Sequence, residues 1–249
     1  MDNVMKVYYN KIELKTKSEW RDKVFVGKKS KSWKEGYSAE SLAEFICKRN
    51  GARKLEELLS NVLGKRVQLR DAYPECEVKF DNYGHGREHD LAIKGFTENG
   101  NVFVGVEAKV NEPFGLPIID VYQQSLKKLL NGNKSNGWKR IDELLIKYLG
   151  QPIETSDYRL RYQLLYSIAG TLMADRSFNE PFNEYVLLVL TFKTSESNDV
   201  CGNYNHQCFD EYVKRLKAVP INGVDKAYKV SILDKTLYLV YREIDLLAP

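Results

Sequence analysis

Two acids and a lysine occupy positions in this chain where charge is costly. Asp90 lies in "REHDLAI" and Glu107 and Lys109 lie in "VFVGVEAKV", two Val- and Ile-bearing segments separated by the turn sequence "TENG". Unpaired charge inside a strand costs several kcal/mol, so such a placement calls for a surface face, an ion pair or a site. Carboxylates on neighbouring strands could share a hard divalent cation such as Mg2+ or Mn2+, which takes oxygens from one or two carboxylates and keeps several waters. Asp90 and Glu107 would supply those oxygens, and the carbonyl of Ala108 a third. The ammonium of Lys109 could orient a water, help it lose a proton, or stabilise negative charge growing on a phosphate. The ion itself would polarise a phosphodiester and activate that water.

Three strand-like segments must position these residues, at about 75–81, 87–95 and 101–110, with "DNYGHG" and "TENG" as turns of an antiparallel meander. Side chains alternate across a strand. In the third segment Val102, Val104, Val106 and Ala108 share one face, and Phe103, Gly105, Glu107 and Lys109 the other. In the second, Leu91 and Ile93 oppose Glu88, Asp90 and Ala92; in the first, Cys76, Val78 and Phe80 oppose Glu75, Glu77 and Lys79. The acids therefore converge on one surface, where Gly105 leaves room for a substrate. A solvated sheet face would show the same alternation.

Helical patterns flank the meander. One starts near Tyr37 with Ser38 as N-cap and Leu42, Phe45 and Ile46 on its apolar face. A second carries Leu55, Leu58, Leu59 and Leu63 and closes at Gly64. Further helices are expected at about 117–131, 137–149, 157–176 and 206–218, a buried strand at 184–192, and two strands at 225–233 and 236–243 around "LDK". The first 35 residues suggest a short strand at "MKVYYNKI" and otherwise irregular or partly helical structure, with Trp20 and Trp33 as anchors.

The 249 residues are 43% hydrophobic and 29% charged, with a net charge of +4, the composition of a globular protein with a real core. The mild basic bias is compatible with a polyanionic partner. Lys6, Lys11 and Glu13 interrupt any signal-peptide pattern, and no apolar run approaches the ~20 residues of a membrane span. Four cysteines without a CxxC pair suggest reduced thiols and a cytoplasmic setting. Cys201, His206 and Cys208 offer zinc ligands without an evident fourth. The segment "KVFVGKKSKSWK" joins five lysines to Phe25 and Trp33, a composition suited either to a nucleic-acid backbone with stacked bases or to a solvated segment.

Asp90 in "REHDLAI" followed by Glu107-Ala108-Lys109 in "VFVGVEAKV" resembles the motif of the PD-(D/E)xK nuclease superfamily, an acid on one strand and acid-x-lysine on the next. The segment "EAKVNEPFG" looks like uncharacterised bacterial members, and "RYQLLYSIAG" resembles the Gln-bearing helix some of them carry. Topologically the likeness covers roughly 160 residues, in motif only about 30. His89 stands where the motif has proline. The resemblance implies an α/β fold with a restriction-endonuclease-like core: helix, three-stranded antiparallel meander, helix, strand. Extra helices and a C-terminal β-hairpin would complete one domain over 1–249, with the core at about 37–192, a basic N-terminal extension at 1–36 and an elaboration at 193–249.

It also implies a metal-dependent nuclease hydrolysing DNA, restriction- or defence-related, with Asp90, Glu107 and Lys109 catalytic and Asp90, Glu107 and Ala108 on Mg2+ or Mn2+. A non-catalytic nucleic-acid-binding or protein-interaction module on the same fold is the alternative. Restriction-type enzymes often form homodimers, though no pattern here marks a dimer face. Many members draw a further Glu from the N-terminal helix; Glu40 and Glu44 are the candidates, although the helical wheel turns them toward solvent. Glu77 has the parity of a third acid, and Glu88 would tune charge. Gln163 could contact a metal-bound water or a phosphate, or pack with its amide satisfied. His89 falls on the side of Leu91 and is expected to pack there; His85 is an exposed turn residue. Phe114 reads as a core plug, Pro113 as a strand stop, and Glu112 as helix-start electrostatics or support of the site.

Overall fold

The computed structural model describes residues 5–197 and 199–248, without the side chain of Asp199. Strands β1 (Lys6–Tyr9) and β2 (Ile12–Leu14) form a hairpin. Asn10 and Lys11 take the positive φ that a two-residue turn demands. Helix α1 (Lys17–Val24) begins with a capping box between Thr16 and Glu19. Helix α2 (Ser38–Lys48) is capped not by Ser38 but by the backbone of Tyr37; Ser38 is the first helical residue. Its hydroxyl donates to Glu112, 2.9 Å away. Helix α3 (Gly51–Leu63) buries Leu55, Leu59, Val62 and Leu63 and ends where Gly64 turns left-handed.

The meander is β3 (Gln68–Val78), β4 (Arg87–Thr97) and β5 (Gly100–Lys109), all antiparallel. β3 starts seven residues earlier than the alternation suggests. Its earlier part holds Arg70, Asp71 and Pro74, which break the apolar alternation of a strand. Strand β1 reaches β3 only at Asp71 and Ala72, so Pro74 has a strand on one side only, the setting in which proline is tolerated. Helices α4 (Ile118–Leu130), α5 (Gly137–Leu144, continued by a π-turn at Leu145–Leu149), α6 (Tyr162–Leu172) and α7 (Ala174–Phe178) follow. Strand β6 (Glu184–Lys193), parallel to β5, is buried along nearly its whole length. After α8 (Asp199–Arg215), β7 (Val219–Pro220), β8 (Ala227–Ile232) and β9 (Lys235–Asp245) complete the chain.

The result is a mixed α/β architecture built on one nine-stranded sheet, ordered β2-β1-β3-β4-β5-β6-β9-β8-β7. One face packs Leu69, Leu91, Val104, Val106 and Leu188 against α1, α2 and α3. The other packs Val78, Phe80, Phe103, Leu187 and Tyr241 against α4 to α8. The chain ends are not appendages. Trp20, Val24 and Phe25 join the first core, and β9 lies parallel to β6 over nine residue pairs. No helix among the described residues is long and apolar enough to cross a membrane.

Candidate active site

The face of β5 that carries Phe103, Gly105, Glu107 and Lys109 is not a solvated one. Helix α6 lies on it, and Glu107 is fully buried while Lys109 is 6% exposed. The burial works because every charge there has a partner. Lys109 Nζ donates to Glu107 Oε1 at 2.5 Å. Gln163 Nε2, from the first turn of α6, donates to the same oxygen at 2.5 Å. The other oxygen, Oε2, accepts from Arg87 Nη2 and, at 3.4 Å, from Ser167 Oγ. Gln163 and Ser167 are four residues apart and so share one side of their helix.

Asp90 comes to Glu107 through a break in β4. The last paired residues of β4 and β5 are Leu91 and Val106, so Asp90 and Glu107 are the next pair in register. There the ladder stops, and the Asp90 side chain takes over: its Oδ2 accepts the Ala108 N–H at 2.7 Å. Among the described residues no protein donor reaches Asp90 Oδ1. Beyond the break the faces change. Ala92 packs with Phe103, but so does the His89 ring, 6.0 Å centroid to centroid, and Arg87 reaches Glu107. Simple alternation places His89 with Leu91 and Arg87 away from the site. Both lie instead on the Glu107 side.

The space over Gly105 is correspondingly filled. A Cβ there would meet Thr171 Oγ1 at 2.6 Å and His89 Cε1 at 2.7 Å, so this glycine makes room for a buried imidazole and not for a substrate.

The electrostatics follow from the packing. Burial first, and the Glu107 charge next, push the Asp90 carboxyl up to about 7. Burial would raise Glu107 too, but Arg87 and Lys109 outweigh it and hold the carboxyl below the usual range. Burial pulls the Lys109 ammonium down, yet Glu107 and Asp90 leave it above the ordinary lysine value. Burial, with Arg87 adding to it, pushes His89 down to about 3, so the imidazole is neutral.

Other expected participants lie elsewhere. Glu77 accepts the Gly86 N–H at 2.6 Å and faces the exposed His85 at 3.7 Å, with no contact to Asp90 or Glu107. The acid of β3 whose charge Asp90 feels, after that of Glu107, is Glu75. Glu40 does not face solvent: it is buried, paired with Lys17, and accepts the Gly36 N–H at 3.2 Å. Glu44 shares Lys17 at 3.0 Å. Glu88 and Glu75 are bridged by Lys29, which stands 3.2 Å from Glu75. Glu112 serves the start of α2 through Ser38, and its Oε2 accepts the Val110 N–H at 2.8 Å. Those donors keep it below the usual carboxylate range although burial works the other way. Phe114 is buried beneath Lys109 Nζ, 5.6 Å from its ring centroid. Phe25 is buried and packs on the half-buried Trp33 at 5.1 Å, so the Phe25 ring anchors the chain and does not face a base. His206 pairs with Asp210 at 3.5 Å on α8.

Arg87 and Ser167 escape a reading of the sequence. Ser167 has a signal, a small polar residue one turn after Gln163 in an otherwise apolar helix. Arg87 has none, because its strand changes face before reaching it.

A hard cation can be tested against these groups. Asp90 and Glu107 are adjacent carboxylates, and Asp90 keeps one oxygen without a protein donor, so the donor set suits an ion that needs one or two carboxylates and water. Among the described residues no three His, Cys, Asp or Glu side chains converge on a metal position, so water or substrate would complete the shell. The fit is good in ligand type; both oxygens of Glu107 already accept, Oε1 from Lys109 and Gln163 and Oε2 from Arg87 and Ser167.

Fold and site together define a mixed α/β protein with an acid–acid–lysine cluster at the end of a central strand, Glu107 and Lys109 buried and Asp90 half-buried beside them. The chain belongs to the family described as a domain of unknown function, DUF6946, whose profile matches residues 13–245. No curated protein and no solved structure matches it.

Proposed function

We propose that this protein is a metal-dependent nuclease with a restriction-endonuclease-like core, acting on DNA phosphodiesters through Asp90, Glu107 and Lys109. The observation that carries the proposal is Asp90 standing in register with Glu107 while Lys109 Nζ lies 2.5 Å from that Glu. The order of α3, the antiparallel β3–β4–β5, α4 and a β6 parallel to β5 supports the core assignment.

Asp90 and Glu107 would hold Mg2+ or Mn2+, with the Ala108 carbonyl as third ligand. The ion would supply a Lewis acid to the phosphodiester. The role of Lys109 follows from its partners. Held protonated by two carboxylates, it donates hydrogen bonds and stabilises charge on a phosphate oxygen instead of accepting a proton from water. A ligand carboxylate must be ionised, so binding the ion at Asp90 would release the proton that its raised carboxyl holds. Gln163 fixes the rotamer of Glu107 and so keeps Oε1 directed at Lys109. Lys28, Lys31 and Lys34 are exposed beside Lys29, where a DNA backbone could pass.

One observation favours the alternative, a fold kept for nucleic-acid or protein binding without turnover. Arg87 and Lys109 both pair with Glu107 already, and they balance the cluster fully once Asp90 is ionised. Calorimetric titration of Mn2+ into wild type and Asp90→Ala, with plasmid cleavage by wild type and Lys109→Ala, separates the two. Metal binding lost with Asp90 and cleavage lost with Lys109 supports the nuclease. A protein that binds DNA but neither Mn2+ nor a scissile bond is the binding module.

A further inference from the structure

Among the described residues four arginines meet a carboxylate in a partly or fully buried setting; Arg70 divides its nitrogens between Asp71 and Glu180, and of the other three one stands apart. Arg140 holds Asp81 with two nitrogens, Nε at 2.6 Å and Nη2 at 2.8 Å. Arg215 holds Asp157 the same way, Nε at 2.5 Å and Nη2 at 3.0 Å. Both also donate to backbone carbonyls, of His85 and of Leu149 respectively. These are forked, fully engaged pairs, the geometry of a permanent structural arginine. Among the described residues the Arg87 guanidinium makes one hydrogen bond, from Nη2 to Glu107, and its Nε is buried without a partner. The oxygen it would need for a second bond is already taken by Lys109 and Gln163.

Its stem and its head are also held differently. Cβ and Cγ lie so close to α6 that a Cβ on Gly170 would stand 2.6 and 3.0 Å from them. The guanidinium has no such clamp. Arg87 opens β4 directly after Gly86 and the fully exposed His85, and its side chain keeps 11% exposure, the side on which the head would leave.

Charge decides when it would leave. With Asp90 ionised, as a metal ligand must be, Asp90 and Glu107 carry two negative charges and Arg87 and Lys109 two positive. A divalent ion added to that set leaves an excess of two in a buried site, and expelling the monovalent guanidinium removes half of it.

We infer that Arg87 is a built-in competitor for the metal: it occupies the cation position on Glu107 Oε2 in the ion-free protein and swings out when a divalent ion binds Asp90 and Glu107. This rests on the metal site proposed above. Arg87 is thus a positioning residue that keeps a carboxylate pair folded and neutral until metal arrives. A methionine of similar length at position 87 leaves the site short of one positive charge, which the metal then supplies.

The test is calorimetric titration of Mn2+ into wild type and Arg87→Met, with thermal unfolding of both in EDTA and in Mn2+. The expected result is Mn2+ binding at least ten-fold tighter in Arg87→Met, and a larger rise in Tm on adding Mn2+. Because that variant could fail to fold, the wild type supplies a second reading. The Arg87 Nε–Hε NMR signal, assigned by its absence in Arg87→Lys, should move when Mg2+ saturates the site. Equal or weaker affinity in Arg87→Met, or an unmoved signal at saturation, overturns the role of Arg87 and leaves the metal site standing. Failure of both proteins to bind Mn2+ overturns the metal site and the inference together.

Discussion

Glu75 and Asp90 face each other across β3 and β4 at the point where both strands turn their side chains from one sheet face to the other. Pro74 pairs with Leu91 and Cys76 with His89, and between them Glu75 takes a left-handed φ of 49°. On either side of this step, Tyr73 and Cys76 both pack on the α4–α8 side of the sheet, as do Ala92 and His89. The step releases Asp90 from the ladder so that its carboxylate can take the Ala108 N–H.

A left-handed non-glycine residue costs roughly 1–2 kcal/mol, and a β-branched one more. Glu75 is therefore the position at which the step can be stressed. Glu75→Val should be less stable than Glu75→Gly by about 2 kcal/mol in urea unfolding. Both variants lose the Lys29 contact, so the difference between them reports the backbone alone. Equal midpoints would mean that Glu75 is not left-handed.

Lys109 separates chemistry from metal binding. Its nitrogen touches Glu107 and would face the scissile phosphate, while the ion would be held by the carboxylates. Lys109→Ala should lower plasmid cleavage by at least ~100-fold, the usual cost of removing one donor to developing negative charge. Mn2+ binding measured by calorimetry should persist. Cleavage unchanged in Lys109→Ala would remove the lysine from the mechanism.

The periodicity of the chain shows most of this fold and about half of this site. Apolar spacing over Leu55–Leu63 with Gly64 behind it, and the all-apolar run of β6, each specify an element by themselves. Glu107 and Lys109 are legible for the same reason: β5 alternates without a flaw from Val102 to Lys109. Asp90 is found by its type and distance from Glu107. What surrounds it is not legible, because parity assumes an unbroken strand and β4 breaks at Asp90 itself. That one irregularity turns His89 and Arg87 toward the site. The wheel of α2 fails at Glu40 for a different reason, since the solvent it predicts is displaced by α1 and Lys17. A local period sees its own helix and not the one laid across it.

The raised carboxyl of Asp90 makes stability depend on pH with a definite sign. Its folded value, about 7, lies above the 3.8 of an ordinary aspartate. Between those values the native protein keeps a proton that the unfolded chain has lost. The Asp90 contribution is therefore fully present at low pH and is lost as pH climbs through 7. Relative to Asp90→Asn, which cannot ionise, wild type should lose stability from about pH 4 to pH 7 and run parallel above pH 8. Urea midpoints of the two proteins across that range check it. A constant offset would place Asp90 in the ordinary carboxylate range.

The floor of the site rests on Gly105. A methyl group there would stand 2.6 Å from Thr171 Oγ1, 2.7 Å from His89 Cε1 and 2.9 Å from His89 Nδ1. None of these is the loose end of a flexible side chain. The His89 ring is confined between β5 and α6, where a Cβ on Gly170 would in turn meet its Nε2 at 2.9 Å, and Phe103 packs on its edge. Thr171 is β-branched on a buried helix face. Gly105→Ala should therefore destabilise the protein by about 1–3 kcal/mol, the cost of overpacking a dense core. Thr171 Oγ1 and both His89 nitrogens are buried without partners, so Thr171→Ala alone gives up no hydrogen bond among the described residues and should cost less. Combined with Gly105→Ala it removes the closest contact and should recover part of the loss. Chemical unfolding of the three variants measures the coupling. Strictly additive losses would mean that the threonine and the glycine do not meet, and that the imidazole of His89 alone sets the limit at Gly105.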